Sequence, residues 1–340
     1  MKVRKIRSNY VCLNFVYRMI LMKGKIESMN IGIDLGGSHI GVGIVDKNAK
    51  IIDKIEEDIN ENNKKDNNEK IEEEILSKIV KNVKSLLETN NLIINQIGKI
   101  GISCPGEPKN GCMKNIVNLN ISLFPIVERL KKELNFENIT IRNDAKCAGI
   151  AEKEYGNLKD VDDGIFLCIG TGIGGAAFLE GKMLMPKRNS GFEFGHMIIK
   201  KDGNKCKCGN KGCFETYCSM KKFKSDVANV LNINEADSRA LLKKLKDMLE
   251  NNIFDEKVSI IIEEYLESLL VGLANITNIL EPEIIVIGGG FVYYKDILWN
   301  RLVEKFGYTN LLFNKETRPT LKLAKFENDA GIIGASVDRM

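Results

Sequence analysis

Apolar residues fall in short runs separated by glycine turns, a pattern that predicts strands. Residues 30–35 and 40–46 predict two strands joined through Gly36-Gly37-Ser38, and residues 49–58 predict a third strand of the same meander. Further apolar runs predict strands at 97–103 and 137–144, a strand, glycine turn and strand within 163–183, and a buried strand at 281–291 that ends in three glycines.

Apolar residues at helical spacing occupy the segments between these strands. The spacing predicts an amphipathic helix over 71–87, a helix over 145–156 and a helix with one buried face over 261–280. The chain twice shows strands followed by a glycine turn that carries polar groups, at 36–38 and 170–175, as two similar lobes would.

The length of 340 residues favours two packed lobes. The net charge of +4 is unevenly placed, because residues 1–29 carry +6 and leave −2 for the remaining 311 residues. A mildly acidic body argues against nucleic acid as the main partner. Met29 opens the first convincing strand, so we expect residues 1–29 to be an N-terminal extension, either an appended, non-native start or a disordered segment.

The N-terminal apolar stretch 10–22 raises the question of a membrane segment. It has 13 residues, is interrupted by Asn14 and Arg18, and is too short to span a bilayer. Its basic start resembles that of a signal peptide, but no small-residue cleavage site follows it. Nine cysteines without an even framework of short spacings favour a reducing compartment, and we expect a cytoplasmic protein without a membrane partner.

One histidine and three cysteines lie within 18 residues of one another. His196, Cys206, Cys208 and Cys213 supply an imidazole and three thiolates, which is a tetrahedral zinc set. Four protein ligands leave no open position, so this zinc is expected to be structural. An iron–sulfur cluster and free reduced cysteines are the alternatives. We interpret the other cysteines as small buried apolar residues: Cys12, Cys104, Cys112, Cys147, Cys168 and Cys218.

Glycine turns at two places are candidates for phosphate binding. In the first turn, Asp34 precedes two glycines and Ser38, so that backbone N–H groups can approach an anion and Asp34 can hold a hydrated Mg²⁺. The second turn, 170–175, repeats the pattern with Thr171, and the glycines at 288–290 let the backbone pass close to a flat ligand such as adenine. Plain turns are the alternative in each case. A P-loop sequence is absent from the chain.

Asn143 and Asp144 stand where a predicted strand ends and a helix begins. One interpretation is that this aspartate is a helix N-cap and nothing more. A carboxylate at the carboxyl end of a strand, between two phosphate loops, is also well placed to act as a base toward a hydroxyl group.

These motifs together resemble those of the ROK family of repressors, open reading frames and sugar kinases. The resemblance covers residues 30–336 and rests on segments that occur in the family's order: DLGGS, CPG, NDA, GTGIGG, EFGH, CKCGNKGCFE, IVIGGG and AGIIGAS. It implies a two-lobed, actin/hexokinase-like (ribonuclease H-like) α/β fold with an interlobe cleft and a structural zinc site. The implied lobes are a smaller one, 30–146 plus 327–340, and a larger one, 147–326, that contains the zinc-binding loop.

The resemblance also implies roles for individual residues. Asp144 would be the catalytic base. The hexose would contact Gly106, Asn118, Asn143, Asp144, Glu193, His196 and Glu215. ATP and Mg²⁺ would contact Asp34, Gly36, Gly37, Ser38, His39, Gly170, Thr171, Gly172, Gly174, Gly175, Gly288, Gly289 and Gly290. His196 with Cys206, Cys208 and Cys213 would hold Zn²⁺.

The activity implied is phosphorylation of a hexose at its C6 hydroxyl by ATP, in carbohydrate metabolism such as glycolysis, by a homodimer or homotetramer. Glucose is the first choice, and N-acetylmannosamine or N-acetylglucosamine is the alternative. The segment CPGEPKNG and Ser38, where the family usually has threonine, depart from its pattern. A sugar-responsive transcriptional repressor and a structural or chaperone member of the actin-like superfamily are the rival functions. The 29 residues before the first strand lack a helix-turn-helix pattern, which argues against the repressor.

Overall fold

The computed structural model describes residues 29–59, 68–106, 108–116, 119–186, 191–234, 237–251, 253 and 255–337. Residues 1–28 of the predicted extension, and Asn118, lie outside the described residues. Within the described ranges, no helix is long and apolar enough to cross a membrane.

Strands and helices alternate through most of the described chain. In chain order the strands are β1 (Met29–Leu35), β2 (His39–Val45), β3 (Ile51–Asp58), β4 (Ile97–Cys104), β5 (Met113–Ile116), β6 (Ile121–Phe124), β7 (Ile139–Asn143), β8 (Gly164–Ile169), β9 (Ile173–Leu179), β10 (Lys182–Met183), β11 (Ile284–Gly288) and β12 (Thr320–Leu323). The helices are α1 (Asn68–Thr89), α2 (Ile126–Leu134), α3 (Asp144–Tyr155), α4 (Glu215–Cys218), α5 (Met220–Leu231), α6 (Ser238–Glu250), α7 (Glu256–Leu280), α8 (Lys295–Tyr308) and α9 (Ala330–Ser336).

The two large sheets share one topology. The first has the order β3-β2-β1-β4-β7, and the second has the order β10-β9-β8-β11-β12. In each sheet the first three strands of this order are antiparallel and form a meander. The last two strands run parallel to the third one, which is β1 in the first sheet and β8 in the second. The predicted meander at 30–58 is therefore confirmed, and the repeated glycine turns correspond to a repeated sheet.

Helix α9 returns from the C-terminal end of the chain to the first sheet. Gly32 of β1 pairs with Gly101 of β4. A Cβ atom on Gly32 would lie 1.9 Å from the carbonyl oxygen of Ile332, and one on Gly101 would lie 1.8 Å from that of Ala335. Since no side chain fits at either strand position, the paired glycines let the backbone of α9 pack directly on the sheet.

Helix α3 connects the two sheets. A Cβ atom on its Gly149 would meet Ala176 of β9 at 2.5 Å, and its Cys147 carbonyl packs against Gly334 of α9. Each sheet has its own apolar core, and a third, smaller cluster joins α3, β8, β9 and α9. The start of α3, where Asp144 lies, is thus fixed between both halves of the molecule.

The predicted helix at 261–280 begins earlier in the structure. α7 starts at Glu256, and the side chain of Asp255 caps it by accepting from the N–H groups of Lys257 and Val258. The first turn buries only Val258, so the apolar spacing gave little sign of it.

Candidate active site

Asp34 lies near the end of β1, directly before the first glycine turn. Its partner across the β1–β2 pair is Gly41, which pairs in turn with Glu56 of β3. Directly paired residues point to the same face of a sheet. Because Gly41 has no side chain, the carboxylates of Asp34 and Glu56 line the same cavity without a group between them.

The Asp34 carboxylate is held from two sides. The hydroxyl of Ser103, on β4, donates to Asp34 Oδ1 at 2.7 Å. On the other side, a Cβ atom on Gly331 of α9 would lie 2.4 Å from the carboxyl carbon of Asp34. Burial raises the pKa of Asp34, and the negative charge of Glu56 raises it further. The hydrogen bond from Ser103 and the electrostatic effect of His39 lower this pKa and so oppose the rise.

Asn143 caps helix α3. Its Oδ1 accepts from the N–H of Lys146 at 3.2 Å, and its Nδ2 donates to the carbonyl oxygen of Gly106 at 3.1 Å. The sequence left open whether Asp144 serves only as the N-cap. The structure gives this role to Asn143, so Asp144 is the first residue of the helix and faces the cavity.

Asp144 has a strongly altered acidity. Its pKa is raised to about 6, chiefly by desolvation. The N–H of Ala145, which donates to Asp144 Oδ1 at 2.7 Å, opposes the rise, and the charge of Asp34 adds to it. Asp144 is exposed, and its carboxylate lines the large cavity. A carboxylate with this pKa is ionised at neutral pH yet basic enough to accept a proton.

A cavity of about 530 Å³ lies between the two sheets. Of the predicted nucleotide and base residues, it is lined by Asp34, Gly36, His39, Asp144 and Gly289. The other predicted nucleotide residues are not part of its lining: Gly37, Ser38, Gly170, Thr171, Gly172, Gly174, Gly175, Gly288 and Gly290. The charged lining is acidic, because carboxylates on β3 and on the segment before α9 join it, and no lysine or arginine is among its described residues.

The second glycine turn lies against α4 and α5. The carbonyl oxygen of Gly170 accepts from the N–H of Met220 at 2.9 Å. A Cβ atom on Gly172 would lie 2.7 Å from Glu215 Oε2. The structure therefore does not line one cavity with both turns, and the phosphate role of the second turn stays a prediction.

A second, smaller cavity of about 100 Å³ adjoins Asn143. Three predicted hexose residues line it: Gly106, Asn143 and Glu193. Gly106 has φ of 81°, a backbone conformation that favours glycine. Asp144 follows Asn143 in the chain and lines the larger cavity, so two consecutive residues line the two cavities.

The four predicted metal ligands form one cluster. One ligand atom from each of His196, Cys206, Cys208 and Cys213 lies within 4.8 Å of all the others. His196 Nδ1 is 3.7 Å from Cys206 Sγ, and the sulfur atoms of Cys208 and Cys213 are 3.6 Å apart. A tetrahedral zinc with Zn–S bonds of about 2.3 Å separates its sulfur ligands by about 3.8 Å, so the donor set and spacing fit zinc.

Glu215 lies between the cluster and the second glycine turn. Its Oε1 is 3.2 Å from Cys206 Sγ and 3.9 Å from His196 Nδ1. His196, predicted for both the hexose and the metal, points its Nδ1 at the cluster. The structure thus brings His196 and Glu215 together at the cluster, and neither lines the small cavity beside Asn143.

Three cysteines outside the cluster lie within the electrostatic influence of the two aspartates of the large cavity. Burial raises the pKa of Cys147 and Cys168 to about 12 and raises that of Cys104 further, and Asp34 and Asp144 add to each rise. These thiols are therefore poor nucleophiles at neutral pH. Cys104, Cys147 and Cys218 are buried as predicted, whereas Cys112 and Cys168 are partly exposed, and Cys12 lies outside the described residues.

Sequence reasoning missed four residues at these cavities: Ser103, Gly331, Glu56 and Lys146. Ser103 directly precedes the CPG segment and Gly331 lies within AGIIGAS, and neither motif gives a sign of a contact to Asp34. The position of Glu56 beside Asp34 could have been predicted only if the residue-by-residue pairing of β1, β2 and β3 had been known.

Comparison with known proteins decides the family. The model of the ROK family matches residues 30–337. The chain belongs to the ROK family. Its mixed α/β fold is shared with a ROK family glucokinase from Streptomyces griseus, whose structure in complex with glucose and AMPPNP has a TM-score of 0.72 and 22% identity over 91% of this chain and 98% of that one.

Two relatives show the range of functions among ROK proteins. A glucokinase from Thermotoga maritima is 28% identical over 321 residues, covering 90% of this chain and 95% of the relative. A xylose repressor from Caldicellulosiruptor bescii is 26% identical over 294 residues, covering 84% of this chain and 72% of the repressor. Membership alone therefore does not distinguish a kinase from a repressor.

Proposed function

We propose that this ROK protein transfers the γ-phosphate of ATP to the C6 hydroxyl of a hexose, with glucose as the first choice and N-acetylmannosamine or N-acetylglucosamine as the alternative. One observation carries the proposal: Asn143 and Asp144 are consecutive residues, and each lines a different cavity. A base that lines the nucleotide cavity and is next in the chain to a residue of the sugar cavity suits transfer of a phosphate to a hydroxyl group.

The chemical step follows from this placement. Asp144 accepts the proton of the C6 hydroxyl while that oxygen attacks the γ-phosphorus in line, and ADP leaves. The pKa of about 6 keeps Asp144 ionised at neutral pH, so that the base is ready before the substrate binds. Helix α3 is packed against both sheets, which holds the carboxylate in position.

The nucleotide side supports a requirement for Mg²⁺. Asp34 and Glu56 offer carboxylate oxygens, the ligands that Mg²⁺ prefers, on one face of the first sheet. Bound with ATP, Mg²⁺ would offset negative charge on the phosphates. The described lining of this cavity has no lysine or arginine, which favours a divalent cation in this role.

The sugar side supports a neutral, hydroxyl-rich substrate. The carboxylate of Glu193 can accept from sugar hydroxyls, and the amide of Asn143 is already positioned by Gly106 and Lys146. We propose that Glu215 and His196 contact the same sugar once the domains close. Glu215 lies against both the metal-ligand cluster and the second glycine turn, so a movement of this region would carry both side chains together.

A structural zinc completes the proposal. His196, Cys206, Cys208 and Cys213 would hold it with no open position, so the metal would fix the segment that runs from Glu193 to Glu215 and take no part in the transfer. All eight cysteines of the described residues are free, which supports a reducing compartment, and we place the protein in the cytoplasm.

The arrangement of lobes is also proposed. A smaller lobe of 30–146 plus 327–340 and a larger lobe of 147–326, as in actin/hexokinase-like proteins, agree with the return of α9 to the first sheet. We propose a homodimer or homotetramer, which analytical ultracentrifugation would test.

A coupled assay of ADP release tests the function. It uses glucose, mannose, fructose, allose, N-acetylglucosamine and N-acetylmannosamine with MgATP, and we expect sugar-dependent turnover with at least one of them. ADP release with no sugar dependence, or silence on every sugar together with sequence-specific DNA binding, would reject the kinase. The DNA-binding assay uses the full chain and a chain that starts at Met29.

A further inference from the structure

A buried carboxylate on α3 takes no part in the proposed chemistry. Glu152 is 0% exposed and lies about two turns after Asp144 on the same helix. Residues four apart in a helix are neighbours on one side of it, so Asp144, Ala148 and Glu152 follow one another along α3. The first two line the large cavity, and Glu152 continues their row into the interior of the protein.

Backbone N–H groups from two segments of the chain donate to the Glu152 carboxylate. Its Oε1 accepts from Lys325 at 2.6 Å and from Phe326 at 3.3 Å. Its Oε2 accepts from Asn157 at 2.8 Å. A buried carboxylate is stable only where hydrogen bonds replace its water, and bonds to a charged acceptor are stronger than bonds between neutral groups. Each oxygen therefore holds a different segment to α3.

The surroundings of this side chain suit glutamate better than glutamine. Both oxygens of a carboxylate accept hydrogen bonds, whereas the amide of glutamine has one acceptor oxygen and one NH₂ group that only donates. In either orientation, a glutamine at position 152 would turn its NH₂ group toward a backbone N–H. Gly156 leaves room for the second oxygen, because a Cβ atom there would lie 2.2 Å from Glu152 Oε2.

The segment held by Oε1 connects β12 to α9 and forms one wall of the large cavity. We call residues 324–331 the connecting wall. Five of its residues line the cavity: Ala324, Glu327, Asn328, Ala330 and Gly331. Two further bonds tie its start to the end of α3, because Lys325 Nζ donates to the carbonyl oxygen of Tyr155 and Asn157 Nδ2 donates to that of Leu323, each at 2.8 Å. The wall and the helix that carries Asp144 are thus joined at Glu152.

The backbone of the connecting wall adopts an unfavourable conformation directly after this contact. Glu327 has φ of 41°, in the left-handed region that favours glycine. A residue with a side chain stays in this region only where its surroundings impose it. Glu152 holds the chain before Glu327 at Phe326, and Lys54 of β3 holds it afterwards through Asp329 at 2.9 Å. The contact with Glu152 is the buried one of the two.

We infer that Glu152 is a positioning residue for the nucleotide, because its carboxylate fixes the connecting wall relative to Asp144 through one helix. This inference rests on the proposed kinase function, since it takes the large cavity as the nucleotide site. It goes further by assigning a role to a residue that lines neither cavity. The residues that Glu152 binds, Asn157, Lys325 and Phe326, do not line the small cavity, so its loss should affect the nucleotide and spare the hexose.

The test compares Glu152→Ala and Glu152→Gln with Glu154→Gln as the matched control. Glu154 is on the same helix, and no hydrogen bond or ion pair among the described residues joins it to the connecting wall. Calorimetry with MgAMPPNP measures the Kd for nucleotide, and coupled ADP release measures the KM for MgATP and for hexose.

Loss of the carboxylate should weaken nucleotide binding in two steps. We expect the Kd for MgAMPPNP to rise about tenfold or more in Glu152→Ala, because the wall is released. In Glu152→Gln, which keeps one acceptor oxygen, it should rise about threefold or more. The KM for hexose should stay within about twofold of wild type in both variants, and Glu154→Gln should match wild type in every measurement.

Failure of the positioning role and failure of the kinase give different results. Equal rises in the KM for MgATP and for hexose would show a general structural role and overturn the inference. A nucleotide Kd in Glu152→Gln that equals the value in Glu154→Gln overturns it as well, and this comparison decides alone if Glu152→Ala lacks a cooperative thermal transition. Wild-type protein that releases no ADP with any hexose rejects the kinase and with it this role.

Discussion

The side-chain nitrogen of Asn143 lies 3.1 Å from the carbonyl oxygen of Gly106, so the residue that caps α3 also holds the loop after β4. This bond joins the start of the helix that carries Asp144 to the wall of the small cavity. One amide therefore couples the position of the base to the shape of the proposed sugar site.

Two substitutions of Asn143 separate these roles. Asn143→Ser retains a helix cap but is too short to reach Gly106, so we expect near-native stability and a KM for hexose that rises about tenfold or more. Asn143→Ala loses both roles, and its free energy of unfolding should fall by about 1 kcal/mol in addition. Thermal melts and sugar kinetics measure the two effects, and an unchanged KM in Asn143→Ser would show that the bond to Gly106 does not shape the site.

Asp144→Asn removes the proposed base without changing its size. We expect kcat to fall by about 10²- to 10⁴-fold, the usual contribution of a general base. The variant should unfold at a temperature no lower than wild type at neutral pH, because a desolvated charge is removed. Asp160→Asn, on the exposed surface, is the control and should retain full turnover. Near-native turnover in a folded Asp144→Asn protein would falsify the assignment.

The raised pKa of Asp144 predicts opposite effects of pH on activity and stability. With a pKa of about 6, the base is ionised above that pH, so kcat/KM for hexose should rise through about pH 6 and then level off. The folded protein binds this proton more tightly than the unfolded chain, in which the pKa of the aspartate is near 3.8. The contribution of Asp144 to stability therefore falls as the pH rises from about 4 to about 6.

Rate profiles and urea titrations measure both pH effects. The stability of Asp144→Asn relative to wild type should increase from about pH 4 to pH 7. A flat rate profile over that range, or a relative stability that does not change, would contradict the assigned pKa.

Gly331→Ala tests how Asp34 is held. The new methyl group would lie 2.4 Å from the Asp34 carboxyl carbon and must displace the carboxylate, so kcat/KM for MgATP should fall about tenfold or more. Gly307→Ala is the matched control, because nothing lies within 4 Å of a Cβ atom at that helical position, and it should be neutral or slightly stabilising. Equal MgATP kinetics in the two variants would remove Asp34 from the nucleotide site.

Removal of the proposed zinc should affect the hexose more than ATP. Elemental analysis should find one zinc ion per chain, and chelation or Cys208→Ser should raise the Kd for hexose by about tenfold while the Kd for ATP changes less than threefold. Cys112→Ser, outside the cluster, is the control and should retain zinc. Equal loss of both affinities would mean that the metal supports the whole fold.

Local sequence patterns predicted most strands, the first meander and the metal cluster. The reason is that alternation, glycine turns and ligand spacing act over a few residues, as in His196 and Cys206 to Cys213. The same local rule left the role of Asp144 open, because a cap and a base occupy the same place in a strand–helix junction. Only the hydrogen bond that the N–H of Lys146 donates to Asn143 Oδ1 assigned the cap.

Relationships between distant segments depended on the tertiary structure. The sequence by itself determined the α/β pattern, the acidic and glycine-rich turns and the cluster of zinc-type ligands. Tertiary packing alone decided that α9 lies on the glycines of β1 and β4, that Ser103 and Gly331 hold Asp34, and that Glu152 holds the segment before α9. The physical reason is that these contacts join residues far apart in the chain, and their distances follow from the packing of whole elements rather than from any local pattern.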